Sequence, residues 1–388
     1  MKKIVGLFII AAFVGLSVLA FTPAPSYALP NFAKKHEASC TLCHTVWPAL
    51  NRFGEQYFMN GFQMPDTEDG GDVGKIKPDE HVALDSGGAN PPLSVRMVIE
   101  TTLSTTAAND VELIQPNKAE ALFFAGGTLG KNLSYFIDNI AAGGIPGNLP
   151  EQMWVGIHNV GGAGTANIRY GVINMADFDA RPNHRHDLGN GYSHTAASDA
   201  STDAVGLQVY GRPGGGALTY QVSLDNRGSG AGAARLGSNT LNPGLLLRGD
   251  FGATAVSFHY AGMSDKASFA SGAVETKTTS NLISARHVAS DFEASLGYGI
   301  MSLDVGGAKT DTTGMTLEGI YFTEGYDVQL QFGTNSVKVG GVTTDISQIS
   351  LKADYHATTN SKMFVKYVGD SSSTVKDGYM SIGTDWAF

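Results

Sequence analysis

Cys40, Cys43 and His44 are the residues of this chain best placed to do chemistry. Cys40-Thr41-Leu42-Cys43-His44 is a C-x-x-C-H string, the attachment signature of a c-type haem. Two thiols at this spacing can reach both vinyl groups of the macrocycle and form thioethers. The imidazole that follows is then held against one face of the iron as proximal ligand. The chain has no other cysteines, so a zinc ribbon would lack its second pair. A local disulfide or a redox C-x-x-C competes with this reading, but the βαβ pattern expected around a redox pair is missing. The sixth iron ligand has to come from elsewhere, unless the site is open. Met64, followed by Pro65, is the candidate, and Met/His ligation would raise the potential. Met59 is its first rival and His36 and His81 are weaker ones, because a lone Met or His more often packs or faces water.

The surrounding sequence places this motif in an exported protein. Lys2 and Lys3 precede an apolar run from Ile4 to Phe21, and Ser26-Tyr27-Ala28 offers a small-residue cleavage site. Residues 1–28 are therefore expected to be a signal peptide, an uncleaved anchor being the alternative. Export leads to an oxidising compartment, where c-type haem is attached in bacteria. Without Lys2 and Lys3 the chain has 24 basic against 36 acidic residues, which argues against a nucleic-acid partner.

Residues 29–64 form an aromatic-rich segment, expected to be a small α-helical monohaem cytochrome c domain. Trp47, Leu50, Phe53 and Tyr57 recur at helical spacing, with Pro48 suited to a first turn and Gly61 to the stop. So short a segment would need the haem itself as core. Residues 65–92 are acidic, Gly/Pro-punctuated and aperiodic, and are read as a linker.

From Leu93 the pattern changes to period two. Tyr326, Val328, Leu330 and Phe332 alternate with Asp327, Gln329 and Gln331. About sixteen such strands of membrane-spanning length fit between residues 93 and 388. They centre near residues 99, 123, 136, 155, 169, 208, 220, 247, 257, 284, 295, 318, 329, 349, 365 and 383. Short connections such as 130–131, 161–163, 213–216, 324–325 and 358–361 alternate with long ones at 177–200, 225–241 and 265–278. At the C-terminus Met380, Ile382, Thr384, Trp386 and Phe388 share one face. The fold class read from this is all-β, a transmembrane antiparallel β-barrel with the small helical domain ahead of it. A soluble sandwich is the alternative, but it needs neither the long/short alternation nor a polar lumen. Arg96, Glu100, Arg169, Asp327 and Gln329 are lumen candidates.

A small cytochrome ahead of a barrel resembles the fused cytochrome–porin family of iron-oxidising bacteria. The resemblance rests on Phe32-Ala33, Cys40–His44, Pro48, Leu50-Asn51, Phe53-Gly54, Phe58 and Asn60-Gly61-Phe62; the barrel is similar only in architecture and length. It implies an outer-membrane protein that oxidises extracellular Fe(II) through one covalent haem c. Electrons would pass to a periplasmic carrier such as a soluble cytochrome. It also implies Cys40, Cys43 and His44 as haem attachment and proximal ligand. The reaction is one-electron transfer and needs no acid, base or nucleophile, so any enzymatic class would be that of an Fe(II) oxidase. Tunnelling falls steeply with distance, so the cytochrome is expected at the periplasmic mouth or inside the lumen. Two alternatives stand beside this: an outward conduit to an extracellular acceptor, and a diffusion porin whose haem segment is a plug or sensor. The loop 177–200 holds Asp177, Asp179, His184, His186, Asp187 and His194. His184, His186 and Asp187 are its candidate weak Fe(II) ligands, since ferrous iron accepts oxygen and nitrogen donors. A solvated polar loop is the plainer reading.

Overall fold

The computed structural model describes residues 32, 42–46, 49–63, 93–105, 111–130, 132–142, 152–162, 164–181, 203–226, 241–267, 274–323, 325–358, 361–372 and 376–387. Near the N-terminus, β1 (His44–Val46) and β2 (Ala49–Leu50) form a minimal antiparallel pair that leads into helix α1 (Arg52–Met59). The barrel strands follow as β3 (Leu93–Thr105), β4 (Val111–Gly130), β5 (Leu133–Ala142) and β6 (Gln152–Val160). Next come β7 (Ala166–Asn174), β8 (Asp203–Gly211), β9 (Leu218–Asp225) and β10 (Asn242–Phe251). The second half is β11 (Thr254–Ala267), β12 (Val274–Val288), β13 (Phe292–Val305) and β14 (Ala308–Phe322). It closes with β15 (Tyr326–Val339), β16 (Val342–Thr358), β17 (Ser361–Ser372) and β18 (Lys376–Ala387).

Each strand pairs antiparallel with its sequence neighbours, and β18 returns to β3 from Gly378↔Thr105 to Ala387↔Arg96, which closes a sixteen-stranded barrel. Closure leaves no strand edge, the condition for a β-structure to cross a membrane. All sixteen expected strand centres fall inside observed strands. The period-two pattern explains the two faces. On β6, Gln152, Trp154, Gly156 and His158 are buried, while Met153, Val155 and Ile157 are exposed. On β15, Asp327, Gln329 and Gln331 are buried and Val328, Leu330 and Phe332 exposed. A polar inside and an apolar outside suit lipid around and a filled or wet lumen within. Near the end where the barrel begins and finishes, Phe251, Phe292, Tyr321, Tyr326 and Tyr355 are exposed, as in an interfacial aromatic girdle.

Two expectations about the connections change. Segment 265–278 was expected to be a long loop, yet β11 and β12 stay paired as far as Ala267↔Val274. Ser264, Asp265, Lys266, Glu275, Thr276 and Lys277 are mostly polar on both faces, as a hairpin that projects beyond the lipid can be, so period two is lost although the strands continue. The long/short alternation also lapses in the second half. Gly306-Gly307 and Gly340-Gly341 join long strands as two-residue turns on the long-loop side, both glycines having positive φ.

Candidate functional site

Helix α1 starts later than its apolar spacing predicts. Asn51 is the N-cap, its Oδ1 accepting from the Gly54 amide at 2.9 Å, while Leu50 belongs to β2. The cap wins because it satisfies an orphan helix donor and also holds the preceding turn. Asn51 Nδ2 donates to the Leu42 carbonyl at 2.9 Å, and the Asn51 amide to the Cys43 carbonyl at 2.9 Å. Gly54 completes the joint, because a Cβ there would overlap the Cys43 carbonyl oxygen. Cys43 and His44 are thus strapped to the first turn of α1.

The helix stops where expected. Gly61 has φ +65°, its amide donates to the Phe58 carbonyl at 3.1 Å, and the Phe62 amide reaches the Tyr57 carbonyl at 2.9 Å. This is a Schellman stop with its usual hydrophobic contact, the Tyr57 and Phe62 rings lying 5.8 Å apart. The same stop places Phe62, itself at φ +64°, in a stack between Phe32 (4.6 Å) and Trp154 of β6 (5.8 Å).

α1 lies across the barrel end that carries the 252–253 turn. Arg52 Nη1 donates to the Gly252 carbonyl at 3.3 Å. Glu55 is clamped by two buried arginines, Arg248 of β10 at 2.6 Å and Arg286 of β12 at 2.8 Å. Asp250 and Glu293 balance those arginines in turn, and Arg286 also donates to the Leu50 carbonyl at 2.7 Å. At the other end of the helix, Tyr210 Oη of β8 donates to the Met59 carbonyl at 3.1 Å, and Gly61 packs directly on the His158 ring of β6. Phe53, Tyr57, Phe58, Met59 and Phe62 share one apolar cluster with Trp154, Ile173, Tyr210 and Leu246 of the wall.

A second segment meets this one from the opposite side. After β7 the chain turns inward. The Met175 carbonyl accepts from Gln221 Nε2 at 2.7 Å, the Ala180 amide donates to Ser257 Oγ at 2.8 Å, and Arg181 pairs with Glu318 across the lumen at 3.1 Å. Phe178 packs between Phe58 (6.1 Å) and Tyr210 (4.4 Å). Fully buried Arg169 of β7 holds the junction. It pairs with Asp177 at 3.1 Å, bonds Gln208, and lies over the rings of Phe58, Trp154, Phe178 and Tyr210 at 4.8–5.4 Å. Burial pushes the Asp179 carboxyl above the usual carboxylate range.

Of the candidate haem residues read from the sequence, Cys43, His44 and Met59 lie within the described residues, and Met59 is buried in the cluster. Cys40, Met64, His36, His81, His184, His186 and Asp187 lie outside the described residues, as do the expected signal peptide and linker. Among the described residues no group of three or more His, Cys, Asp or Glu could hold a metal ion. The lumen candidates all turn inward. Arg96 pairs with Asp385 at 2.7 Å, Glu100 with Lys366 at 3.0 Å, and Asp327 with His356 at 2.8 Å, while Gln329 donates to Asp327 at 2.8 Å. Sequence reading passed over Trp154, His158 and Glu55. The inward parity of β6 marks the first two; nothing local marks Glu55, whose partners lie about two hundred residues away.

The fold is that of a sixteen-stranded antiparallel barrel of porin type. No protein-family model and no curated protein matches the sequence. Among solved structures it is similar to OmpF of Salmonella typhi, with TM-score 0.60 and 15% identity over 76% of this chain and 97% of that one. It is also similar to a loop-deletion mutant of OmpT, an outer membrane protein of Vibrio cholerae (0.57, 14%, 76% and 99%). A third such structure is an anion-selective porin of Comamonas acidovorans (0.53, 12%, 76% and 99%). At these identities the likeness is one of fold.

Proposed function

We propose that this chain is an outer-membrane electron-transfer protein that takes electrons from extracellular Fe(II) and passes them to a periplasmic carrier. The observation that carries this reading is the seat of the C-x-x-C-H string. Cys43 and His44 are tied to a helix that is itself locked across the barrel end, so a group held there would lie at the lumen rather than on a tether outside. Cys40 and Cys43 would hold a haem c by thioethers and His44 would ligate its iron, with Met64 as candidate sixth ligand. Such a group supplies a reversible one-electron couple. The chain's own contribution is placement. The Glu55 clamp fixes the helix, and the aromatic packing of Phe58, Trp154 and Phe178 excludes water between helix, wall and inner loop. The inward-turned 175–181 segment leads on to His184, His186 and Asp187, which would collect Fe(II) on the outer side.

A diffusion porin is the second reading, favoured by the fold it shares with porins. The cluster that fills the lumen between α1 and β6–β10 argues against free solute passage. Purified protein in liposomes separates the readings. Fe(II) added outside should reduce the haem rapidly while the vesicles show no solute conductance, and Cys40→Ser or Cys43→Ser should abolish the haem-stained band. Covalent haem without both thiols would end the c-type assignment. Porin-like conductance with slow reduction would favour the second reading. A measured midpoint potential distinguishes inward from outward electron flow.

A further inference from the structure

The outward face of β13–β16 changes character from one row to the next. Near the end where the barrel begins and finishes it carries Phe292, Tyr321, Tyr326 and Tyr355, all exposed. Farther along, the paired row Leu296, Leu317, Phe332 and Ile349 is exposed and apolar, as a wall against lipid should be. The next outward row is Tyr298, Met315, Thr334 and Ser347, and the one beyond it Ile300, Thr313, Ser336 and Asp345. The hydroxyl-bearing residues Thr313, Thr334, Ser336 and Ser347 thus sit side by side on three adjacent strands, each half-buried. With Tyr298 and Asp345 they line a groove of about 490 Å³ in the outer wall, within the usual size range of small-molecule sites. Its height follows from the strands. Eight residues separate Tyr326 from Thr334, Tyr355 from Ser347 and Tyr321 from Thr313. At ~3.4 Å per residue and a tilt of ~40° that is roughly 21 Å, close to the ~25 Å of an apolar band. The groove therefore opens at the far lipid interface, where acyl chains give way to headgroups. At the same count from Phe251, β10 presents Pro243, paired with Leu224 of β9, so the hydroxyl-lined groove is a local feature of this wall.

We propose that this groove binds a sugar-headed lipid of the membrane leaflet at the far end of the barrel. Sugar hydroxyls both donate and accept hydrogen bonds, and so do the hydroxyls of Thr313, Thr334, Ser336 and Ser347, while the Asp345 carboxylate accepts only. Tyr298 lies where one side of a ring meets apolar chains and the other meets water. The acyl chains of the same molecule run on over Leu317, Phe332 and Ile349, in continuity with the lipid-facing wall. A lipid headed by phosphate alone fits less well. The lining holds one carboxylate and no lysine or arginine. Lys338 stands one row farther out, beside Asp311, which Lys309 also meets at 3.4 Å. The site does not depend on what Cys40 and Cys43 carry.

Native mass spectrometry of the full-length protein in detergent reads bound lipid directly. The probes are digalactosyl diacylglycerol, phosphatidylethanolamine and phosphatidylglycerol. The parent should retain the digalactosyl lipid in preference to both phospholipids. Thr313→Val with Thr334→Val removes two hydroxyls at nearly constant volume on a lipid-facing surface. It should weaken that lipid about tenfold, as two ordinary hydrogen bonds would, and leave the phospholipids unchanged. Thr384→Val, an outward threonine on β18, should change nothing. If the double variant fails to give a heat-modifiable barrel, Ser347→Trp, which fills the groove, carries the test and should abolish the preference. Equal retention of all three lipids by the parent would overturn the proposal, as would a preference that survives the groove variants. Preference for phosphatidylglycerol would overturn it in favour of the outer lysines, and a dimer that Ser347→Trp dissociates would assign the groove to a second copy of the chain.

Discussion

The two halves of the barrel wall face the lumen differently. From β5 to β12 the inner face carries Phe136, Trp154, Ile173, Tyr210 and Leu246, with Arg169, Arg248 and Arg286 among or beside them; each packs on or bonds the N-terminal segment or the inward loop. From β15 to β18 the charged groups of the inner face pair with one another. Lys352 and Lys362 both pair with Asp354, at 2.9 and 3.1 Å, and Asp327 takes His356 and Gln329. The connections follow the same divide. At the far end β7 runs on into the buried 175–181 segment, whereas β13–β14 and β15–β16 are joined there by the two-residue turns Gly306-Gly307 and Gly340-Gly341. One half is thus a docking wall met by the 175–181 segment, and the other is an ordinary polar barrel interior. The difference teaches that lumen charge alone says little. What separates the halves is whether a charge finds its partner on the wall or on the segment across from it.

The sharpest way to break this comparison is to remove one carboxylate from each half. Glu55→Leu leaves Arg248 and Arg286 without their shared partner and should weaken docking of the N-terminal segment by about 3–5 kcal/mol. Protease cleavage in the 65–92 stretch, followed against urea, should then begin at lower denaturant. Asp354→Leu should destabilise the wall yet leave that cleavage threshold unchanged. Equal thresholds in the two variants would remove the distinction between docking wall and plain wall.

Trp154→Leu keeps an apolar filler but loses the stack on Phe62, the edge-on contact with Phe58 and the face under Arg169. Docking should weaken by about 2 kcal/mol, each lost ring pair being worth roughly 0.5–1.5 kcal/mol. The variant should begin to conduct in planar bilayers, and a silent membrane would show that Trp154 is not what seals the lumen. Gly54→Ala presses a methyl group on the Cys43 carbonyl and should cost about 1–2 kcal/mol, seen as lower yield of haem-bearing protein with a normally folded, heat-modifiable barrel. Full haem yield would mean the strap between helix and attachment string is looser than the geometry indicates.

The smallest effect is in pH. With its carboxyl pushed upward by burial, Asp179 docks more readily protonated than charged. Docking of the 175–181 segment should therefore be firm in acid and loosen as pH rises through that raised value. Conductance should climb over the same interval in the parent and stay flat in Asp179→Asn. The same climb in the variant would assign the effect to another group.

The sequence by itself determined the barrel and the stop of α1. Period two is imposed residue by residue where a strand separates lipid from lumen, so alternations such as Tyr326–Phe332 could be read without any partner strand. The Gly61 stop was equally local, because only its own backbone demands the left-handed turn. Where neither constraint acts, reading failed. Asp265–Ala267 and Val274–Thr278 stay paired but lose their alternation, and the Asn51 cap overrides the helical spacing of Trp47 and Leu50. Only the tertiary structure decided which half of the wall receives α1, that Glu55 serves two arginines on β10 and β12, and that the segment after β7 turns inward to meet Phe58. These depend on closure of the barrel, which sets residues from distant strands face to face across the lumen. No local pattern carries that information, because the partners share neither helix, hairpin nor period.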